Sequence, residues 1–360
     1  MNQYIYPHLN SLKDRPHGSK DWAKLDFSIN TNPLGFPQSI HFLLQQKDKN
    51  WLSKYPEIQA TSLKKVLAKQ LAVDPEQVMI GNGAAELFFL LPRVLKIHQG
   101  IVIQPTFGEY EPSLMAANIP IRRLYYQEKE NQFAFPMAKV EQVMEAGDLL
   151  YLCRPNNPTG QMLTKAEVET LYLLAKEKKA FLLVDESFIA FTEEPEGLID
   201  DFQKNKSLII VRSLTKFYAI PGIRLGYMLA PSWLIHWMEL ARDPWSVNSL
   251  AQNIGKMIMM DQAFYNTTRT WIKKERSWFY RQLTTLSSFQ VFPSQANFYL
   301  LKLLQGDARE LYAFLKEKGI AIRLADSFYG LNKHYIRLAV KRREENQQLI
   351  KELNLFVSKR

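Results

Sequence analysis

The chain has 360 residues, of which 46% are hydrophobic, so it can bury a large core. Its single cysteine, Cys153, excludes internal disulfides and metal sites built from several cysteines, and it is typical of a protein from a reducing compartment. The formal net charge is +10, but the basic residues are scattered, which favours small anionic ligands or a solvated basic surface over a nucleic-acid partner.

Short apolar runs and helical patterns alternate over the first two thirds of the chain. The runs predict strands near residues 78–81, 100–104, 121–126, 148–153, 180–184, 207–212 and 224–230. Helical patterns include residues 62–72, 84–97 and 164–179. This alternation predicts an α/β fold with a mostly parallel sheet that has helices on both faces.

A different pattern begins at about residue 232. Helical stretches come first, followed by strands near residues 296–303, 319–323 and 334–340 and by a charged helix from about residue 342. We therefore predict a large domain of residues 36–235, a smaller α+β domain of residues 236–360, and an arm of residues 1–35 that packs with the small domain.

A glycine turn follows the first predicted strand. Residues 78–81 lead into Asn82 and Gly83, and an apolar helix begins directly afterwards. Free backbone N–H groups at such a helix start bind anions such as phosphate. The turn lacks the lysine and hydroxyl of a P-loop and the third glycine of a dinucleotide-binding loop. After the next strand, Phe107 offers a ring that can stack on a planar ligand, although it can equally serve in packing.

Two polar side chains follow later strands. Asn157 lies in a turn rich in proline and asparagine after the strand at 148–153, and Asp185 ends the apolar run at 181–185. Open α/β sheets bind ligands at the carboxyl ends of their strands, where both side chains are expected. Taken alone, each has an ordinary explanation, which is a tight turn for Asn157 and a strand-end cap for Asp185.

The segment of residues 213–227 contains a lysine between a hydroxyl and a fixed cation. Lys216 lies three residues after Ser213 and eight before Arg224. A lysine that binds a cofactor covalently needs that cofactor anchored beside it, and a serine hydroxyl with an arginine can hold a phosphate. A lone lysine of this kind is typical of a surface turn, so the inference depends on Asn157 and Asp185 being present as well.

Two arginines lie within alternating apolar strands near the carboxyl end. Arg323 and Arg337 each point either to solvent or into a site. Bidentate arginine contacts to carboxylates and phosphates are strong and geometrically demanding. The pair is therefore a candidate for binding an anionic substrate.

In this order, the motifs resemble those of fold-type I pyridoxal phosphate (PLP) enzymes of the class I and II aminotransferase family, over essentially the whole chain. The resemblance implies a fold-type I transferase fold with PLP as cofactor. It implies that Lys216 forms the Schiff base, that Asp185 pairs with the ring nitrogen and that Asn157 donates to the ring oxygen. It further implies cofactor contacts from Gly83, Ala84, Ala85, Phe107, Ser213, Arg224 and, from the neighbouring subunit of a homodimer, Tyr55.

The resemblance also implies that Arg337 binds a substrate carboxylate and that Arg323 binds a substrate phosphate. Further substrate contacts are implied for His17, Gly18, Asn30 and Asn157. The sequence departs from its aminotransferase relatives at Phe188, where they have a tyrosine that donates to the ring oxygen. Its phosphate turn at 83–85 contains no hydroxyl, so backbone N–H groups must hold the phosphate there.

Within the family, the chain is most similar to members that decarboxylate L-threonine O-3-phosphate for the side chain of cobalamin, and next to histidinol-phosphate aminotransferases. Residues 26–35, 213–222 and 244–248, together with His17 and Gly18, favour the first of these. A third hypothesis is a non-catalytic relative that binds PLP or a partner. No apolar run reaches membrane-spanning length and the amino end lacks the form of a signal peptide, so we expect a cytoplasmic protein without a metal, membrane or nucleic-acid partner.

Overall fold

The structure is a computed structural model that describes residues 22–45, 50–204 and 208–358. His17 and Gly18, for which the sequence predicts substrate contacts, lie outside the described residues. In the described ranges, none of the helices has both the length and the apolar character that crossing a membrane requires.

The observed strands and helices fall close to the predicted ones. The strands are β1 (Leu25–Asp26), β2 (Val78–Gly81), β3 (Gly100–Gln104), β4 (Ile121–Tyr125), β5 (Gln127–Lys129), β6 (Gln132–Ala134), β7 (Leu149–Cys153), β8 (Phe181–Asp185), β9 (Leu208–Ser213), β10 (Gly226–Leu229), β11 (Phe289–Val291), β12 (Phe298–Leu303), β13 (Ile320–Ala321), β14 (Arg323–Leu324) and β15 (Tyr335–Ala339). The α-helices are α1 (Gln38–Gln45), α2 (Asn50–Ser53), α3 (Thr61–Leu71), α4 (Ala84–Val94), α5 (Tyr110–Ala116), α6 (Met137–Val143), α7 (Lys165–Glu177), α8 (Ile199–Lys204), α9 (Ser232–Ala241), α10 (Ser249–Met260), α11 (Gln262–Thr284), α12 (Ala308–Glu317) and α13 (Arg343–Ser358).

Seven strands form the main sheet, in the order β2-β10-β9-β8-β7-β3-β4. The prediction of a mostly parallel sheet is confirmed, because all neighbouring pairs are parallel except the two that involve β10. Strand β10 runs antiparallel between β2 and β9, and its Gly226 lies opposite both Gly81 and Ser213. The start of β10 therefore meets the carboxyl ends of its two neighbours.

Helices cover both faces of the main sheet, as predicted. The strands are nearly continuous hydrophobic runs, and their alternate side chains enter two separate core clusters. One face packs against α3, α7 and α8, with α10 lying on α3, and the other face packs against α4, α5 and α9. Helices α9 and α10 thus belong to the layers around the main sheet. The domain boundaries at residues 35 and 235 stay predictions.

A smaller antiparallel sheet, in the order β11-β12-β15-β14, packs with α11, α12 and α13. In this sheet, Arg323 lies directly opposite Arg337. Strand β1 pairs with β13, and the carbonyl oxygen of Phe27 accepts a hydrogen bond from the N–H of Ala339 at 3.0 Å. These contacts attach the start of the described chain to the small sheet, so that residues 28–31 reach the space between the two sheets.

Candidate active site

A cavity of about 560 Å³ lies between the carboxyl edge of the main sheet and the small sheet. The residues predicted from the sequence that line it are Asn30, Phe107, Asn157, Lys216, Arg224, Arg323 and Arg337. They come from widely separated parts of the chain, so the fold brings together motifs that are independent in the sequence. Across the described ranges, no cluster of histidine, cysteine or acidic side chains is placed to hold a metal ion.

Lys216 is the candidate nucleophile of this cavity. Its Nζ donates to Ser213 Oγ at 2.9 Å and lies 5.9 Å from the centre of the Phe188 ring. Burial, together with the charge of Arg224, lowers the pKa of Lys216 to about 8, against the opposing effect of Asp185. About half of the amine is therefore neutral at mildly alkaline pH, which is the form that attacks a carbonyl carbon.

Asp185 ends β8, is almost completely buried, and is not among the described residues that line the cavity. Its Oδ1 accepts a hydrogen bond from the N–H of Ser187 at 2.8 Å, and its Oδ2 accepts one from the hydroxyl of Tyr110 at 2.6 Å. Burial raises the pKa of Asp185, while these hydrogen bonds and the nearby charge of Lys216 act to lower it. A carboxylate held in this way suits the pairing with a ring nitrogen that the sequence predicts.

Asn157 is oriented by Arg337 across the cavity. The Oδ1 atom of Asn157 accepts a hydrogen bond from Nη1 of Arg337 at 2.5 Å. With its oxygen occupied, the amide keeps its N–H groups as donors, as its predicted contact with the ring oxygen requires. Arg337 also donates from Nη2 to the carbonyl oxygen of Ser28 at 2.9 Å, which joins the amino-terminal segment to the site.

Arg323 and Arg337 form a pair of like charges on one face of the small sheet. They are directly opposed across β14 and β15, an arrangement that is unfavourable for two cations. Arg323 donates to Ser327 Oγ at 2.8 Å, whereas the buried Nε of Arg337 has no hydrogen-bond partner among the described residues. Burial lowers the pKa of Arg337, and the charge of Arg323 lowers it further. An anion between the two guanidinium groups would relieve both effects.

The turn after β2 forms a cradle with Arg224. Gly83 has a φ of +76°, and a Cβ atom at this position would lie 2.5 Å from Nη2 of Arg224, so glycine is required here. Helix α4 begins at Ala84, and its first N–H groups are free to bind an anion. Together with Ser213 beside Lys216, this donor set suits a phosphate. The residues present therefore fit PLP.

Replacing Gly83 with alanine should weaken PLP binding about 10- to 100-fold, because the methyl group displaces Arg224 and strains a left-handed backbone. Fluorescence titration of the cofactor-free protein measures this affinity. Gly222→Ala is the matched control, since a Cβ atom there meets nothing within 4 Å although Arg224 is two residues away. Similar losses in the two variants would contradict the assignment of the cradle.

The remaining predicted residues differ in their placement. Tyr55 is 81% exposed, stacks on Trp245 with ring centroids 4.6 Å apart, and is not among the described residues that line the cavity of its own chain. Asn30 is buried beside the cavity, and its Oδ1 has no hydrogen-bond partner among the described residues. Phe107 lines the cavity and meets the ring of Tyr110 edge-on. The contact of Tyr55 with a neighbouring subunit thus stays a prediction.

Sequence reasoning missed two residues that support the site. Tyr110, which binds Asp185, follows Phe107 at the start of α5 and resembles an ordinary core aromatic in the sequence. Asn156 accepts a hydrogen bond from Thr106 Oγ1 at 2.9 Å and donates to the carbonyl oxygen of Pro105 at 2.9 Å. It therefore braces the loop that carries Phe107 against the loop that carries Asn157. The position of Asn156 directly before Asn157 was the one feature of the sequence that could have indicated this supporting role.

The amino-acid sequence is similar to those of known proteins over most of its length. The sequence model described as aminotransferase class I and II matches residues 23–353. A protein of Caldanaerobacter subterraneus subsp. tengcongensis, provisionally named a threonine-phosphate decarboxylase, is 37% identical over 90% of this chain and 88% of its own length. The threonine-phosphate decarboxylase of Salmonella typhimurium is 33% identical over 91% of this chain and 90% of its own length.

A solved structure is similar over nearly the same length. The crystal structure of the histidinol-phosphate aminotransferase from Clostridium acetobutylicum superposes with a TM-score of 0.86 at 30% sequence identity. The match covers 91% of this chain and 98% of that one. The fold-type I architecture expected from the sequence is thereby confirmed.

Proposed function

Because this chain belongs to the class I and II aminotransferase family, whose members depend on PLP, we propose that it decarboxylates L-threonine O-3-phosphate. The products are (R)-1-amino-2-propanol O-2-phosphate, a precursor of the cobalamin side chain, and carbon dioxide. The two relatives named as this decarboxylase are 37% and 33% identical to the chain, against 30% for the aminotransferase structure. The protein is then a carbon–carbon lyase that acts on a small phosphorylated amino acid.

The opposed arginines are the observation that supports this substrate most directly. Threonine phosphate carries a carboxylate and a phosphate on one molecule, whereas in the alternative reaction histidinol phosphate carries only a phosphate and the second substrate, 2-oxoglutarate, carries two carboxylates. Arg323 and Arg337 present two guanidinium groups from one face of the small sheet to the cavity that contains Lys216. Such a pair suits a substrate with two anionic groups, of which Arg337 takes the carboxylate and Arg323 the phosphate.

Each of the described site residues has a separate role in the proposed reaction. When bound, PLP supplies a protonated ring that accepts the electron pair of the bond broken at Cα. Arg323 and Arg337 would hold the two anionic ends of the substrate and so fix its orientation, which selects the Cα bond that breaks. Asp185 keeps the proton on the ring nitrogen. After carbon dioxide leaves, the protonated amine of Lys216 would donate a proton to Cα in place of the lost carboxylate.

Transamination of histidinol phosphate is the second candidate function. The TM-score of 0.86 to an aminotransferase of this substrate favours it, and Lys216, Asp185 and Asn157 would serve that reaction equally. The difference is which bond at Cα breaks, because transamination removes the Cα proton instead of the carboxylate. Phe188 in place of a tyrosine leaves the ring oxygen with one donor fewer, and we associate this feature with the decarboxylase.

Product analysis distinguishes the two reactions. The holoenzyme is incubated with O-phosphothreonine, and we expect release of carbon dioxide with formation of aminopropanol phosphate. A second incubation supplies histidinol phosphate and 2-oxoglutarate, from which we expect no glutamate. Glutamate in the second reaction without carbon dioxide in the first would overturn the proposal in favour of the aminotransferase.

Replacing Arg323 with glutamine should reduce the affinity for O-phosphothreonine about 100-fold and that for threonine less than about threefold, because only the first ligand loses a charge-assisted contact. Because the active holoenzyme would consume O-phosphothreonine, isothermal titration of PLP-loaded protein that also carries Lys216→Ala measures both affinities. Arg122→Gln, which removes an exposed arginine on β4, controls for the change in net charge. Equal losses for the two ligands would refute the assignment of Arg323 to the phosphate.

We also propose that the protein is a cytoplasmic homodimer in which Tyr55 contacts the cofactor phosphate of the neighbouring subunit. Its exposure of 81% and its stacking on the partly exposed Trp245 support this role, because they project the ring away from the core of its own chain. Arg224, which would hold the same phosphate, lines the cavity and is also exposed. The free and buried Cys153 is consistent with a reducing compartment.

Mixed dimers test the contribution of Tyr55. Dimers assembled from Lys216→Ala and Tyr55→Ala subunits should recover up to half of the wild-type activity, because one of the two sites then contains neither change. If Tyr55 acted in its own subunit, each site would contain one change and activity would not return. Analytical ultracentrifugation of the unmixed protein should show a dimer, and a monomer with full activity would contradict the proposal.

A further inference from the structure

We infer that Tyr110 is a positioning residue for Asp185, and that its hydroxyl fixes the carboxylate in the orientation that accepts the ring N–H of PLP. The inference rests on the dependence of the proposed function on PLP. It applies equally to decarboxylation and transamination, because both need a protonated ring nitrogen.

The hydrogen bonds around Asp185 carry the inference. Tyr110 is fully buried, and its hydroxyl donates to Asp185 Oδ2 at 2.6 Å. The other oxygen accepts the N–H of Ser187 at 2.8 Å. Since each oxygen has its own donor, rotation of the carboxylate is restricted, and each oxygen keeps a further lone pair that can accept the ring N–H.

The ring of Tyr110 is held by other aromatic side chains. Phe88 and Phe107 meet it edge-on at centroid distances of 5.2 and 5.5 Å, and Tyr151 stacks on it at 5.0 Å. Phe107 also lines the cavity, where the sequence predicts that it stacks on PLP. The packing of these rings therefore fixes the direction of the Tyr110 hydroxyl. The same aromatic cluster extends from the cavity, at Phe107, to the residue that binds Asp185.

The protonation states of Tyr110 and Asp185 agree with a hydrogen bond from the hydroxyl to the carboxylate. Burial raises the pKa of Tyr110 well above its ordinary value, with a further contribution from Asp185, so Tyr110 remains a neutral donor. Burial also raises the pKa of Asp185, while the hydrogen bonds from Ser187 and Tyr110 oppose that rise. Loss of the hydroxyl would let Asp185 take up a proton more readily, and a protonated carboxyl group no longer stabilises a proton on the ring nitrogen.

The decisive experiment compares the binding of PLP with that of an analogue in which carbon replaces the ring nitrogen. Wild-type protein should prefer PLP, and Tyr110→Phe should reduce this preference about tenfold or more, because the analogue has no ring N–H for Asp185 to accept. The nitrogen NMR shift of ring-labelled PLP should move towards the unprotonated value in the same variant. Both measurements are made without substrate.

Tyr151→Phe is the matched control. Tyr151 is buried in the same aromatic stack, but its hydroxyl lies 3.2 Å from Ser113 Oγ instead of contacting Asp185. It should keep the wild-type preference and the wild-type nitrogen shift. An unchanged preference in Tyr110→Phe, or an equal loss in both variants, would overturn the inference. Because no substrate is present, failure of the decarboxylase proposal would leave these results unaffected, and the two failures are distinguishable.

Discussion

Replacing Lys216 with alanine should lower kcat with O-phosphothreonine roughly 1000-fold, because the variant loses both the nucleophile that binds PLP covalently and the amine that donates a proton to Cα. The hydrogen bond from Nζ to Ser213 Oγ would be lost as well. Cofactor affinity should fall less than turnover does, since the cradle around Gly83 and the pairing with Asp185 remain. Steady-state kinetics and cofactor titration measure the two effects separately.

Trapping with borohydride shows whether Lys216 is the point of attachment. Reduction of the PLP-loaded wild-type protein should add the mass of the cofactor to the peptide that contains Lys216. The rate of attachment should rise with pH through about 8, because the pKa of Lys216 is lowered to about that value and only the neutral amine attacks. Lys216→Arg keeps the positive charge and should trap nothing. Stable binding of PLP without trapping at Lys216 would contradict both enzymatic functions.

Replacing Arg337 with methionine should lower kcat/KM about 100- to 1000-fold, and should also raise the free energy of unfolding of the cofactor-free protein by about 1 kcal/mol. The activity falls because the substrate carboxylate loses its guanidinium partner and Asn157 loses the donor that orients it. The stability rises because the variant no longer buries a cation opposite Arg323. Urea denaturation and steady-state kinetics give the two values.

Comparison with Arg323→Met separates the two effects of Arg337. Arg323 is only partly buried, so its removal should change the stability of the cofactor-free protein less than removal of Arg337 does. Inorganic phosphate should raise the unfolding midpoint of the wild-type protein by binding between the arginines, and should do so less in either variant. A lower stability of Arg337→Met than of the wild type would show that the hydrogen bonds of Arg337 to Asn157 and Ser28 outweigh the cost of burying its charge.

The parallel part of the main sheet was predictable because its strands are short, continuous apolar runs. The positions of Asp185 and Asn157 followed from the same runs, since polar residues after parallel strands meet at one edge of a sheet. The roles of Lys216 and Arg224 in binding PLP were predicted from the resemblance to a family. Their spacing in the sequence alone does not predict these roles. The structure places Asn157, Lys216 and Arg224 in the lining of one cavity, and Asp185 close enough to Lys216 for their charges to interact.

Contacts between distant segments were not predictable from local patterns. The direction of β10 depends on its pairing with β2, which lies about 150 residues earlier, and its apolar run is compatible with either direction. The hydrogen bond from Arg337 to Asn157 spans 180 residues. Tyr110 was missed because a buried tyrosine in an apolar helix is indistinguishable in sequence from a core aromatic until its hydroxyl partner is known.

The position of Gly226 limits how this fold can acquire new activities. A Cβ atom there would lie 2.7 Å from the backbone nitrogen of Ala84 and 2.9 Å from the backbone oxygen of Arg212, so any side chain would separate the cradle from the strand that carries Ser213. These contacts are made by backbone atoms, which a point mutation does not replace. The close packing of the turn at Gly83 against strand β9 is therefore expected to persist when side chains change. Side chains that line the cavity, such as Asn30, Phe188, Arg323 and Arg337, can be exchanged without disturbing this backbone contact. Descendants of one ancestral protein can thus change substrate and reaction while they keep the same cofactor.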